Sequence, residues 1–224
     1  MSLITPKYIP IHIISQKNVQ HEWSDWDPYE KIHLPNEGTM TVLSKVSNRG
    51  VTAFAIGCAE WVVYRFRKLS SDKTPYDFLE SCWVLVMGNE YVQPEGMEES
   101  EWKGPIRGAI DLALLTIVNT WNVSEYGSAE QEGGFAAQIA LLVLQDKSLF
   151  LDWQEKVLQR LIKYYPRDEE APDGPPVPRE VLYPSVDLET VQSDQLIKAF
   201  LSKVDYKSNP FLKDIEPAGF TDSA

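Results

Sequence analysis

Between Gly104 and Pro166 the apolar positions recur at helical spacing, and they mark out three consecutive helices. The first is expected from about Pro105 to Trp121. Ile106, Ala109, Ile110, Ala113, Ile117 and Trp121 share one face, and Leu112, Leu115 and Val118 widen it until little polar surface remains. A helix apolar on most sides is normally buried. This one is too short and too polar to span a membrane. Asp111 follows Arg107 at the i,i+4 spacing of a local ion pair.

The second helix is expected to start at Ser128, where Glu130, Gln131 and Glu132 give the first turn the character of a capping box. Gly133 and Gly134 follow with Ala136 and Ala137, a run of small residues that implies a close crossing with a neighbouring element. The third, about Ser148 to Tyr165, carries Trp153, Val157 and Leu161 on one stripe and Glu155, Lys156, Gln159, Arg160 and Lys163 on the other side; Pro166 stops it.

Upstream, Asn48 to Leu69 reads as a long helix with Val51, Phe54, Cys58, Trp61 and Val62 inward, and Glu60 and Arg67 on the opposite side. Arg65 falls on the apolar side, where it either snorkels outward or meets a carboxylate from another helix. Thr74-Pro75-Tyr76-Asp77 signals a helix start with Thr74 as cap and Pro75 at the first position. That helix runs through Phe78, Leu79, Cys82, Trp83, Leu85 and Val86 to a Gly88-Asn89 stop. Near the C-terminus, Leu196, Ile197, Phe200, Leu201 and Val204 are spaced for a last helix, with Ser193 as its cap.

Residues 1–46 look different. Ile9, Ile11 and Ile13 alternate with Pro10 and His12 as in an edge strand, and Thr39 to Val46 alternates again. The expected fold is therefore mainly α, a single helical-bundle-like domain of about six helices with a small N-terminal β element. Its parts would be an arm over residues 1–46, a helical core over 47–166, an acidic proline-rich strap over 167–184 that stays outside the core, and a helix with a tail over 185–224.

Charge changes this picture from architecture to partners. The 224 residues hold 33 acids and 21 bases, a net charge of -12. Such a surface disfavours nucleic acid and anionic membrane and favours a basic protein or simple solubility. The acids concentrate in two loops. One holds Glu95, Glu98, Glu99 and Glu101; the other holds Asp168, Glu169, Glu170 and Asp173 among prolines. A third loop, residues 21–30, interleaves acids with Trp23 and Trp26, and tryptophan dominates binding hot spots. These residues are the candidate partner-binding positions.

Candidate chemistry is sparse. The three histidines all lie within the first 33 residues, and no nucleophile, zinc, calcium or phosphate-loop motif is present. His21, Asp25, Asp27 and His33 lack a metal-binding spacing, so neither a metal nor a cofactor is expected. Carboxylate pairs remain open as a catalytic device, for example Asp111 with Glu130 or Glu132 across adjacent helices. Cys58 and Cys82 sit on apolar faces as buried thiols. The N-terminus lacks the pattern of an export signal, so a cytoplasmic location is expected. Taken together, these features favour a non-catalytic protein-binding module, an inhibitor or immunity protein that neutralises a basic toxin or effector. A structural or adaptor component of a bacterial assembly is the alternative, and a carboxylate-dependent enzyme the second.

Overall fold

The Ser47 hydroxyl accepts the Gly50 N–H at 3.3 Å, and from this cap the chain enters its central helix. The computed structural model describes residues 4–88 and 103–212, and eight α-helices lie within them. They are α1 Ile11–Ile14, α2 Glu37–Leu43, α3 Asn48–Arg65, α4 Thr74–Met87, α5 Arg107–Asn122, α6 Ala129–Val143, α7 Ser148–Tyr164 and α8 Ser193–Leu201. Two 3-10 turns, Val123–Tyr126 and Arg179–Leu182, complete the regular structure. The fold is mainly α.

The hub is α3. All of its residues from Gly50 to Arg65 are buried, so the sequence expectation of one inward stripe with Glu60 opposite needs correction. Neighbours cover every side. Asp72, just past the C-terminal end of α3, pairs with Arg107 at the start of α5, so α5 runs antiparallel to α3. A Cβ on Gly133 would lie 3.0 Å from both Leu43 and Val51, which places the start of α6 at the N-terminal end of α3. Trp153 faces Gly57 and Tyr165 faces Gly50, so α7 is also antiparallel. The small residues at the start of α6 do mark a tight crossing, although side chains fill it: Leu43 and Val51 against Gly133, Pro35 against Gly134.

The N-terminal strands do not form. Ile9 and Ile13 are both buried while Ile11 is exposed, a helical i,i+4 relation that strict alternation imitates over so short a stretch. Likewise Asn36 accepts the Thr39 N–H at 3.2 Å and caps α2 where a strand was expected. Among the described residues an isolated bridge between Val46 and Pro166 is the one strand-like pairing.

The proline-rich strap also departs from expectation. Val177, Val181 and Leu182 are fully buried, and Arg179 enters the core with them. Proline and acid content describes the first half of this segment well, and its second half is a packed element. At the start of α4 Thr74 is the first helical residue and not the cap; Lys73 holds the cap position, and Asp72 Oδ1 accepts the Thr74 N–H at 2.9 Å.

Candidate functional site

Segment 21–36 crosses the bundle as a loop, and its two tryptophans have opposite fates. Trp23 is half-buried against α5, where a Cβ on Gly108 would come within 2.2 Å of its ring. Its Nε1 donates to Asp25 Oδ1 at 2.9 Å, and the same oxygen accepts the Gly104 N–H at 2.7 Å. Trp23 and Asp25 therefore anchor the loop. Beside them His21 sits 5.9 Å from the Phe66 ring with Nε2 2.9 Å from the Pro105 carbonyl, and burial lowers its pKa. Arg65 supports the loop from below: its guanidinium donates to the carbonyls of Gln16 and Asn18, in place of the outward reach or carboxylate partner expected for it.

Trp26 has no such role. It is 96% exposed, between Asp25 and Asp27 and close in sequence to Glu22, Glu30 and Lys31. Lys31 bridges Glu22 at 3.1 Å and Glu30 at 3.0 Å, so these two acids are held together on the same loop. Tyr29 continues the surface toward α6, and burial together with the charge of Glu132 raises its pKa. An indole left wholly in water on an anchored loop is the unusual feature, since exposed large apolar groups of this kind are what interfaces use.

The second acidic group behaves otherwise. Asp168, Glu169 and Glu170 are exposed on a turn in which Asp168 Oδ1 accepts the Glu170 N–H at 3.0 Å, and Glu169 lies 3.5 Å from Arg167. Asp173 is tied into the fold: its Oδ1 accepts from Asn48 Nδ2 at 2.9 Å, and its carbonyl from the Arg49 N–H at 3.2 Å. Acid at the start of α3 also meets the positive end of the helix dipole. Asp25 and Asp173 thus stand at opposite ends of α3, separated by ~27 Å of helix axis. Glu95, Glu98, Glu99 and Glu101 lie outside the described residues.

Of the carboxylates considered from sequence, Asp111 and Glu132 are not brought together. Asp111 is buried and paired with Arg107 at 2.7 Å, and Arg107 also holds Asp72. Glu132 instead bonds with Asn119, ~12 Å farther along α5. What sequence reading missed is a pair of buried glutamates elsewhere.

Glu60, fully buried in α3, accepts on Oε1 from Arg179 Nε at 3.1 Å, Arg179 Nη2 at 2.6 Å and Trp83 Nε1 at 3.0 Å. Its Oε2 accepts from the Tyr8 hydroxyl. Arg179 reaches on with Nη1 to the Ile4 carbonyl at 2.9 Å. Burial next to this anion raises the Tyr8 pKa well above the phenol range.

Glu80, in α4, is 7% exposed and borders two clefts, one polar and one largely apolar. The signal for both residues was present in the chain. Each is the lone charge in an apolar run, Gly50–Tyr64 and Phe78–Met87 respectively.

Among the described residues no cluster of three or more His, Cys, Asp or Glu could hold a metal, and no helix is long and apolar enough to cross a membrane. No protein-family model, curated protein or solved structure matches the chain.

Proposed function

We propose that this protein acts by binding another protein through the surface around Trp26, as a non-catalytic inhibitor of a basic toxin or effector. The observation that carries this reading is a fully exposed indole on an anchored loop rich in acids. Such a surface supplies both parts of a specific contact. The ring fills a partner's pocket, and the acids steer a basic partner into place. Asp168, Glu169 and Glu170 would add long-range attraction from the other end of α3, whereas Trp23 and Asp173 support the fold.

The test is affinity capture from the native host's lysate at low and high salt, repeated with Trp26→Ala and with a triple reversal of Asp168, Glu169 and Glu170 to lysine. A stoichiometric basic protein, released by salt and lost with Trp26→Ala, is expected. A partner that resists salt and ignores both variants would replace this reading with the adaptor one. The polar cleft beside Glu80 favours a second reading, recognition of a small ligand, because it gathers Asp72, Asp77, Glu80 and Asp205 around one opening.

A further inference from the structure

Three contacts fasten the loop that carries Trp26, and all of them land on residues 104–108, at the entrance to α5. His21 Nε2 donates to the Pro105 carbonyl at 2.9 Å, Asp25 Oδ1 accepts the Gly104 N–H at 2.7 Å, and Trp23 packs on Gly108. Trp23 Nε1 also donates to Asp25 at 2.9 Å, so these two contacts support each other. His21 is the contact with a switch in it. An imidazole is the side chain whose ordinary pKa places its change of charge near neutral pH. The Nε2–H bond to Pro105 exists in the neutral and the protonated ring alike; what protonation adds is a positive charge.

The surroundings of the ring are poorly suited to a second cation. Arg65 is 1% exposed, and no ion pair among the described residues includes it. Its guanidinium donates to the Gln16 and Asn18 carbonyls, and its buried Nε has no hydrogen-bond partner among the described residues. Arg65 and His21 stand against the same Phe66 ring. The guanidinium carbon lies 5.3 Å and the imidazole centroid 5.9 Å from the centre of that ring. Other charges on the packed elements are engaged elsewhere. Arg67 donates to Thr5, Glu22 bridges Lys31, Asp25 holds Trp23 and Gly104, Arg107 holds Asp72 and Asp111, and Lys103 is exposed. Burial is the main force against a proton on His21; the Pro105 carbonyl favours one, and the Arg65 charge opposes it again.

We propose that His21 is a proton-operated catch on the Trp26 loop: neutral, it holds residues 21–25 against the entrance to α5, and charged, it moves into water and frees the loop. This rests on the binding role given above to the Trp26 surface and adds the regulation of that surface. Burial and Arg65 together favour the neutral ring, so a proton binds the open loop more tightly than the fastened one. Opening is therefore suppressed at neutral pH and grows as pH falls below the ordinary histidine value of about 6.5. An open loop no longer presents Trp26 in one place, so a partner is held at neutral pH and released in acid. The size of the effect follows the difference in proton affinity, ~10-fold for each pKa unit.

The experiment follows indole N–H exchange by NMR in the full chain without a partner, so its result is independent of whether the Trp26 surface binds one. Dividing the rate at Trp23 by the rate at exposed Trp26 removes the intrinsic pH dependence of exchange. From about pH 7.5 to about pH 5.0, a range above the ordinary carboxylate values, that ratio should rise by ~3-fold to 10-fold. His21→Gln keeps a donor for Pro105 and removes the titration, so its ratio should change by less than ~2-fold. The His21 ring itself should titrate below about 6.5, and Arg65→Gln should raise that midpoint. A flat ratio in the parent overturns the proposal, and so does a rise that persists in His21→Gln. A His21 midpoint at or above the ordinary value overturns it too; that value is read in the parent, whether or not Arg65→Gln folds. An unchanged midpoint in a folded Arg65→Gln protein has the same consequence.

Discussion

Glu60 and Glu80 are both buried glutamates on neighbouring helices, yet one is surrounded by donors and the other is nearly without them. Around Glu60 an arginine, an indole and a phenol converge from three separate parts of the chain. Around Glu80 a single amide donates, and the space beyond is a cleft. The difference teaches how to read a buried charge. Full compensation indicates a fastener of the fold, while sparse compensation leaves a charge whose burial works against stability.

The comparison can be broken most forcefully at Glu60. Arg179→Met should leave that carboxylate buried without a cation and cost ~3–5 kcal/mol, read from urea unfolding. Adding Glu60→Leu to the same chain should restore much of the loss, because an apolar pair of similar volume replaces the ion pair. If the double variant is no more stable than the single one, compensation is not what Arg179 provides. Next in size is Gly57→Ala on the same helix, since the new methyl would lie 2.7 Å from Leu182 and 2.9 Å from Trp153. A loss of ~1–3 kcal/mol is expected from overpacking.

At Glu80 the sign should reverse. Glu80→Gln is expected to stabilise the protein by roughly 1 kcal/mol at pH 7, since it removes an under-compensated buried charge. Burial raises the folded-state pKa, so the proton is bound more tightly in the folded chain than in the unfolded one. The corresponding stabilisation is present below the unfolded pKa and is lost as pH rises through the raised value. Thermal melts taken from the usual carboxylate range upward should therefore show a decline in the parent that Glu80→Gln lessens. The smallest effect is at Trp26, where alanine should alter stability by less than ~0.5 kcal/mol, the range of ordinary surface changes. A larger loss would mean that the indole packs in solution and is not a free contact surface.

Local features were legible in the sequence, and distant ones were not. The Arg107–Asp111 pair follows from helix spacing alone, and so do the bounds of α5 and α7 to within two residues. The inward stripe of α3 was correct as far as it went. It misplaced Glu60 because its compensating arginine lies 119 residues away, inside a segment whose prolines and acids resemble a linker. In the same way, alternation of Ile9, Ile11 and Ile13 fits strand and helix equally until tertiary packing decides. Trp23 and Trp26 are indistinguishable in composition; Gly108, 85 positions beyond the first of them by the numbering, is what buries one and leaves the other out.

The reach of Arg179 also constrains the order of events during folding. Its bonds close over 119 residues to Glu60 and over 175 to Ile4, among the longest separations in the chain. Contacts so remote form late, after the loop entropy between them has been overcome. A nascent chain that has already assembled α3, α4 and α7 would thus hold Glu60 beside Trp83 without its cation, and the N-terminal segment would lack its clamp. The final locking step waits for residue 179 to be synthesised, and until then the half-built core remains open to solvent and to proteases.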